Sequence, residues 1–483
     1  MTVPVRRFCR KIVRVSNTQA LFATLRERTN ADIAAAIEQV VTSGADRELA
    51  RINVLAFAGA HRFDEENTIA AFLHATQLGI FELAWDVLCP TCGGVLDVAL
   101  TLKDVHQAPY ECALCSRSFE PSLDEMVEVV FTVSPRLRKI TAHDPATLPF
   151  WDYYRQVFWS SAVDLSDEGL AKLIADFTLD ARVLDPGEQT SVSMQVPQGW
   201  VILFEPVSHF GHYMKVAAER TANLQNLTIA FEVTPAPTGT TELKSGPLQL
   251  TMTNLTGGRA LPVVWIENRD FDELVGKRRP NLTAKRIFTN QTFRELYGTD
   301  TLAVDQGLKI VSLTFLFTDL KGSTELYARL GDLAAYELVR RHFHMLNQIV
   351  AAEGGAVVKT VGDAVMATFP TPDRALAAAL RMREAIREAK NEMRQEDLVL
   401  KIGIHEGPCL AVMLNGRLDY FGQTVNIAAR VQGLALSREI FVTKPVVEYP
   451  QSSALLQAAG IIPSPQSAML KGIAGEVAVY KLA

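Results

Sequence analysis

What the 483-residue chain lacks narrows its function before any motif is read. No run of about 18 apolar residues occurs, so neither a transmembrane helix nor a membrane partner is expected. The basic start, Met1 to Lys11, leads into no long apolar stretch and no small-residue cleavage site. No signal peptide is therefore expected, and a cytoplasmic protein follows. Basic charge is not in excess: 48 Lys and Arg stand against 54 Asp and Glu, a net charge of −6. Without a global basic field, wholesale binding to nucleic acid is disfavoured. Locally, Lys103, Arg117, Arg136, Arg138 and Lys139 interleave with Asp97, Asp104, Glu111, Glu120, Asp124, Glu125 and Glu128, which does not make a phosphate-tracking surface.

Cysteine is scarce too, and its six copies do not spread as a secreted disulfide framework would. Four fall in two CxxC pairs, Cys89/Cys92 and Cys112/Cys115, with nineteen residues (93–111) between them. That spacing suits a zinc ribbon, in which two knuckles supply four thiolates to one tetrahedral ion. A redox-sensing dithiol pair and a ribbon without metal are the rival readings. Cys9 and Cys409 are assigned no chemical role.

The length predicts several domains. Residues 1–85 read as a helical, winged-helix-like module, with a helix starting at Thr29 to Asp32 and ending at Ser43-Gly44, and another from Thr68 to Leu78 before a strand at Ile80 to Trp85. Residues 86–125 hold the ribbon. Residues 126–280 read as a β-rich, sandwich-like regulatory domain of antiparallel strands, from runs such as Val192 to Val196, Trp200 to Phe204, Leu227 to Val233 and Leu248 to Met252. Within it, Thr147 to Ala175 is expected to be helical, and Trp151, Tyr153, Tyr154, Phe158 and Trp159 are assigned to core rather than to a ligand pocket. Residues 281–307 form a connector with one short helix near Phe293 to Tyr297.

From 308 to 483 strands and helices alternate. Strands are expected at Val311 to Thr318, Ala356 to Val361, Val365 to Phe369, Val399 to His405 and near Ala411-Val412. Helices are expected at Asp332 to Glu353, from Pro372 (capped by Thr371) to about Glu392, and at Gly422 to Leu434. The outcome is a ferredoxin-like β-α-β-β-α-β arrangement in a multidomain α+β chain. Two strings stand out: Phe317 to Thr324 and Lys359 to Asp363. Each carries an Asp, Asp319 or Asp363, at the end of a strand-like run, as a sheet presents paired carboxylates to hard cations. Two such metals roughly 3.5–4 Å apart clamp both oxygens of a phosphoryl displacement. Gly322, Ser323 and Thr324 add amides and hydroxyls where a polyphosphate would sit.

These motifs, with Leu418 to Gly422, Asn426 to Arg430 and Leu470 to Gly472, resemble the catalytic domain of class III adenylate and guanylate cyclases, over about Lys309 to Ala483. The front half resembles the poorly characterised region, ribbon included, that accompanies this cyclase type in some bacterial proteins. The resemblance implies attack of the ribose 3′-hydroxyl on the α-phosphate of a nucleoside triphosphate. Asp319, Asp363 and the Leu320 carbonyl would hold two Mg²⁺ or Mn²⁺ ions per active site. Asn426 would orient the ribose, Arg430 stabilise the α-phosphate, and Lys471 bind the triphosphate. Lys359 and Asp419 occupy the purine-selecting positions, where guanylate cyclases usually carry Glu and Cys. A Lys donor and an Asp acceptor complement adenine, and a mismatched buried group costs about 1–3 kcal/mol, so ATP is favoured. The family's site lies between two catalytic domains, and one chain carrying both residue sets implies a homodimer. Two departures fall on the dimerisation arm: Gly407 to Leu418 lacks the usual Gly-Val-x-Gly spacing, and Phe421 replaces a common Trp.

The function expected is thus an adenylate cyclase regulated by its N-terminal domains through an unknown ligand or protein. One alternative is a nucleic-acid-binding protein carrying an inactive cyclase fold. The intact Asp319, Asp363, Lys359, Asp419, Asn426, Arg430 and Lys471 speak against it. Another is a ligand-sensing sandwich domain, which is compatible with the cyclase as its input.

Overall fold

The computed structural model describes residues 18–233, 238–298, 301–303, 305–321, 331–393, 399–436 and 439–482. They form two compact units. The first comprises residues up to Leu100, Val105–Pro121 and Glu125–Leu282; the second comprises Thr101–Asp104, Ser122–Asp124 and the chain from Thr283.

The first unit begins with helices α1 (Thr18–Arg28), α2 (Ala31–Ser43), α3 (Val54–His61) and α4 (Glu65–Gln77). Asn30 caps α2, its side chain accepting from the Asp32 and Ile33 amides, and Ile33, Ala34, Ile37 and Val41 form the buried stripe. The helices cover a three-stranded antiparallel sheet, ordered β2 (Val95–Ala99), β1 (Phe81–Leu88), β5 (Val127–Val133). Phe72 of α4 locks the two layers. Its ring lies 4.9 Å from that of Phe81, 5.3 Å from Phe131 and 5.2 Å from Phe57. Because β1 pairs along its length with β5, helices, cysteine knuckles and later strands share one folded body. Between β2 and β5 a short hairpin, β3 (Tyr110–Cys112) and β4 (Arg117–Phe119), carries the second CxxC pair. The stretch expected to be one helix is broken. Helix α5 (Phe150–Tyr153), extended by a π-turn over Tyr154–Phe158, and α6 (Asp167–Lys172), extended over Leu173–Phe177, flank a non-helical link.

The β-rich part holds β6 (Thr178–Ala181), β7 (Gln189–Val196), β8 (Gly199–Glu205), β9 (Phe210–Arg220), β10 (Gln225–Phe231), β11 (Gly239–Asn254) and β12 (Val263–Glu267), followed by helix α7 (Arg269–Gly276). Strand β11 serves two sheets: Gly239 to Ser245 pair with β9, and from Gly246 onward the strand pairs with β7 and β10. The switch falls at Gly246, whose φ of 149° and a virtual Cβ 2.2 Å from the Thr221 carbonyl admit no other residue without strain. Val201, Leu203, Met214, Phe231, Leu250 and Met252 fill the space between the sheets. The expectation of purely antiparallel strands is corrected here, since β9/β11 and β10/β11 are parallel. Strand β10 leaves for the second sheet before β11 returns, and local alternation of residues carries no information on that partner choice.

The second unit opens with helices α8 (Ala284–Phe288) and α9 (Gln291–Tyr297), one more helix than expected in the connector, which folds with the unit. Then follow β13 (Leu308–Lys321), α10 (Asp332–Ala352), β14 (Ala356–Val361), β15 (Ala364–Phe369), α11 (Pro372–Met393), β16 (Val399–Leu414) and β17 (Arg417–Phe421). Helix α12 (Gln423–Gly433), β18 (Ile440–Thr443), α13 (Lys444–Glu448), α14 (Pro450–Ala458), β19 (Ser464–Met469) and β20 (Glu476–Leu482) complete it. The sheet order β14-β15-β13-β16 is the ferredoxin-like core, extended by β18-β20-β19. Leu316, Leu320, Val365, Phe369, Ile402 and Ile404 meet Leu346, Val350, Leu376 and Met382 from α10 and α11 on one face. Strand β16 is a single sixteen-residue strand rather than two. It turns into β17 through Asn415 and Gly416, both at positive φ (51° and 70°), the signature of a tight two-residue hairpin. Asp124 accepts from the Val311 and Ser312 amides and pairs with Lys285, so the piece Ser122–Asp124 anchors the start of β13.

Helix α12 crosses the other face of the sheet at Gly403, where an added Cβ would lie 2.1 Å from the Gln432 amide nitrogen. Gly403→Ala must therefore push α12 off the sheet. Overpacking of this kind costs about 1–3 kcal/mol. A lower melting temperature for the variant is expected by calorimetry; an unchanged one would contradict this packing.

Candidate active site

The site is built where β13 and β15 run side by side. Thr318 pairs with Val365 across that ladder, which sets Asp319 beside the two-residue turn Gly362-Asp363 between β14 and β15. By strand alternation Asp319 lies on the face opposite Leu316 and Leu320, away from their core. Burial, and after it the neighbouring Asp363 charge, raise the proton affinity of Asp319; Lys401 and the nearby Gln432 side chain oppose the rise. Lys401 stands directly opposite Asp319 on β16, its Nζ 3.8 Å from Asp319 Oδ2. The Asp363 Oδ2 atom is buried and has no hydrogen-bond partner among the described residues. Two carboxylates close together, one with an orphaned oxygen, form a hard-oxygen donor set of the kind that holds Mg²⁺ or Mn²⁺. Behind them lies His342 of α10, 4% exposed, with both ring nitrogens unpartnered among the described residues. Burial pushes its pKa down to about 4, so it is neutral at neutral pH.

A second cluster forms from strands far apart in sequence. Lys359 Nζ of β14 lies 2.5 Å from Asp419 Oδ2 of β17, and Asp419 is almost buried while Lys359 is half-exposed. The other carboxylate oxygen of Asp419 accepts from the Tyr420 amide at 2.8 Å. A donor and an acceptor are thus held side by side. The connector helices grip both strands that carry them. Arg294 of α9 donates to the Leu418 carbonyl at 2.6 Å, and its guanidinium carbon lies 5.8 Å from the centre of the Tyr420 ring. The Leu418 amide donates to Gly298 and the Val357 amide to the Gln291 side chain, each at 2.9 Å.

Asn426 and Arg430 are exposed, four residues apart on α12, and therefore share one face. Lys471 is exposed in the turn between β19 and β20. Gly322, Ser323 and Thr324 lie outside the described residues. His405 hydrogen-bonds Thr443 at 2.8 Å and burial pushes its pKa down to about 4, as suits a structural histidine. Sequence reasoning missed Lys401, Gln432, His342 and Arg294. Only Lys401 had a usable signal, since pairing β13 with β16 in register puts it opposite Asp319.

In the first unit the structure brings Cys89, Cys92, Cys112 and Cys115 together, their sulfurs all within 4.8 Å of one another. The Cys89–Cys115 and Cys92–Cys112 separations are 3.8 and 3.7 Å. With metal–sulfur bonds of about 2.3 Å, a tetrahedron has edges of about 3.8 Å, so the spacing fits a four-thiolate ion. The cluster packs against Tyr154, Phe158, Phe204 and Trp265.

Residues 308–480 match the family described as "Adenylate and Guanylate cyclase catalytic domain". The second unit therefore contains a cyclase catalytic domain. Residues 15–295 match the "Family of unknown function (DUF5939)", and the chain belongs to that family. "Adenylate cyclase 2" of Rhizobium meliloti (strain 1021) is 36% identical over 144 residues, 27% of this chain and 39% of that protein. "Adenylate cyclase" of Mycosarcoma maydis is 30% identical over 177 residues, 32% of this chain and 7% of its own. The chain spans less than half the length of these curated relatives. Among solved structures, the adenylyl cyclase CyaB from P. aeruginosa is similar over 37% of this chain and 96% of its own, at 23% identity and a TM-score of 0.33.

Proposed function

We propose that the protein is an adenylate cyclase that converts ATP to 3′,5′-cyclic AMP and pyrophosphate, working as a homodimer with regulation by its N-terminal part. The observation that carries this reading is the Lys359–Asp419 pair within a catalytic domain of the cyclase family. An ammonium donor next to a carboxylate acceptor complements adenine N1 and its C6 amino group. Guanine reverses that pattern at both atoms.

The Asp319 and Asp363 carboxylates, with the Leu320 carbonyl, would hold two Mg²⁺ or Mn²⁺ ions, a role suited to the orphaned Asp363 oxygen and the raised proton affinity of Asp319. When bound, such ions lower the pKa of the ribose 3′-hydroxyl and neutralise triphosphate charge. From the partner's α12, Asn426 fixes the ribose and Arg430 meets the charge that grows on the α-phosphate, while Lys471 and the Gly322 to Thr324 loop bind the β- and γ-phosphates. Both half-sites occur in one chain, so two copies complete two equivalent sites. The β16/β17 arm supports this assembly by exposing Leu414 (45%) and Phe421 (66%), as does Val361 (60%) beside the metal turn. Absence of the Gly-Val-x-Gly spacing leaves the arm hairpin intact, because Asn415-Gly416 supplies the turn.

The test is cyclic nucleotide production by the purified chain with ATP or GTP and Mg²⁺ or Mn²⁺. Cyclic AMP is expected, with Asp363→Ala lowering turnover by about 10²-fold or more. Lys359→Glu combined with Asp419→Cys should move the preference toward GTP by about tenfold. Equal turnover by Asp363→Ala, or no cyclic product under either metal, would refute the reading.

The four cysteines would hold a structural Zn²⁺ that ties the β3/β4 hairpin to the end of β1. Elemental analysis should find about one zinc per chain. Cys112→Ser should lose it. A zinc content near zero in protein with all thiols reduced would overturn this assignment.

A further inference from the structure

A cavity of about 540 Å³ opens within the first unit, between the helical module and the link that follows α5. That volume is typical of a small-molecule site. Phe57, Ala56 and Leu165 contribute apolar lining, and Arg47, Arg51, Arg155 and Arg279 converge on it. Three acids also line it, Glu48, Asp152 and Asp164. Glu48 is engaged by the Ala45 amide, and Asp164 by Arg279 and Lys277.

The arginines divide into floor and mouth. Arg51, forced to a positive φ of 47°, donates to the Val157 and Trp159 carbonyls at 2.8 and 3.0 Å and to Asp86 at 2.8 Å. It thereby holds the link against β1, and its charge is spent on Asp86 and Glu128, buried directly opposite each other on β1 and β5. Backbone strain at a non-glycine residue, paid by a buried network, is a mark of functional sites. At the mouth the arrangement differs. Arg155 and Arg47 share a single carboxylate, that of Asp167, at 2.7 and 3.4 Å. Asp167 is 71% exposed, so this two-arginine seat faces solvent. An ion pair so exposed is weak and screened by solvent, so an incoming oxyanion can displace it.

We infer that this cavity binds a small molecule with one oxyanion headgroup, seated between Arg47 and Arg155 in place of Asp167, and a small apolar body against the Phe57 side of the cavity. The headgroup is a phosphate or a carboxylate, the two anions that guanidinium pairs hold in the same geometry. Such a ligand would join the helical module, through Arg47, to the π-turn that extends α5, through Arg155.

Phenyl phosphate, benzoate and inorganic phosphate, titrated into the full-length chain by calorimetry with melting curves in parallel, separate the sources. The two ring-bearing probes share the body and differ in the anion. At least one is expected to bind saturably and raise the melting temperature. Arg155→Gln should weaken that binding by about tenfold or more. Asp167→Asn, which removes the competing carboxylate from an exposed position, should tighten it by up to about fivefold. Binding by the ring-bearing probes that exceeds inorganic phosphate supports the apolar lining. No saturable binding by wild type or Asp167→Asn, or equal affinity in folded Arg155→Gln, would overturn the inference.

Discussion

Two like charges at one end of a sheet set the terms for the catalytic unit. Burial raises the cost of ionising Asp319, and the neighbouring Asp363 charge adds to it. Their proximity is enforced by the antiparallel β13/β15 ladder and by a two-residue turn with no slack. Lys401 offsets part of the repulsion from across β16, yet one oxygen of Asp363 remains buried and unmatched among the described residues. On the proposed reading that deficit is the reason the site takes divalent cations. The neutral His342 behind it adds no counter-charge that would compete with them.

On the proposed reading, base recognition rests on a different part of the same sheet, with added support from outside the β-α-β-β-α-β core. Lys359 and Asp419 meet across β14 and β17, and α9, ahead of the first catalytic strand, braces both strands. Arg294 binds the carbonyl next to Asp419 and faces the ring after it, so movement of α9 would reach the Lys359–Asp419 pair directly. On the proposed reading, a connector helix in that position can alter substrate fit without touching Asp319 and Asp363.

Much of this was legible in the sequence, for identifiable reasons. Asp319, Asp363, Lys359 and Asp419 stand in short strings where local pattern and chemistry coincide, and the structure brings the first two together and the last two together. The cysteine spacing likewise anticipated four sulfurs in one place. Long-range pairing was not legible. The parallel partners of β11, the register that sets Lys401 against Asp319, and the grip of Arg294 on β17 each depend on which segments become neighbours. Trp159 shows both sides of this limit: it is core, as its surroundings predicted, and it also lines the N-terminal cavity, which needs Arg47 and Arg155 from distant segments to exist.

The central claim is that each chain supplies two half-sites that work only across a dimer. Mixing two inactive variants tests it most directly, one lacking the metal ligands (Asp319→Ala with Asp363→Ala), the other lacking the transition-state pair (Asn426→Ala with Arg430→Ala). Random pairing makes half the dimers mixed, each with one intact site, so activity should return to about a quarter of wild type. If both variants dimerise and exchange subunits yet no cyclic AMP forms, the account is contradicted.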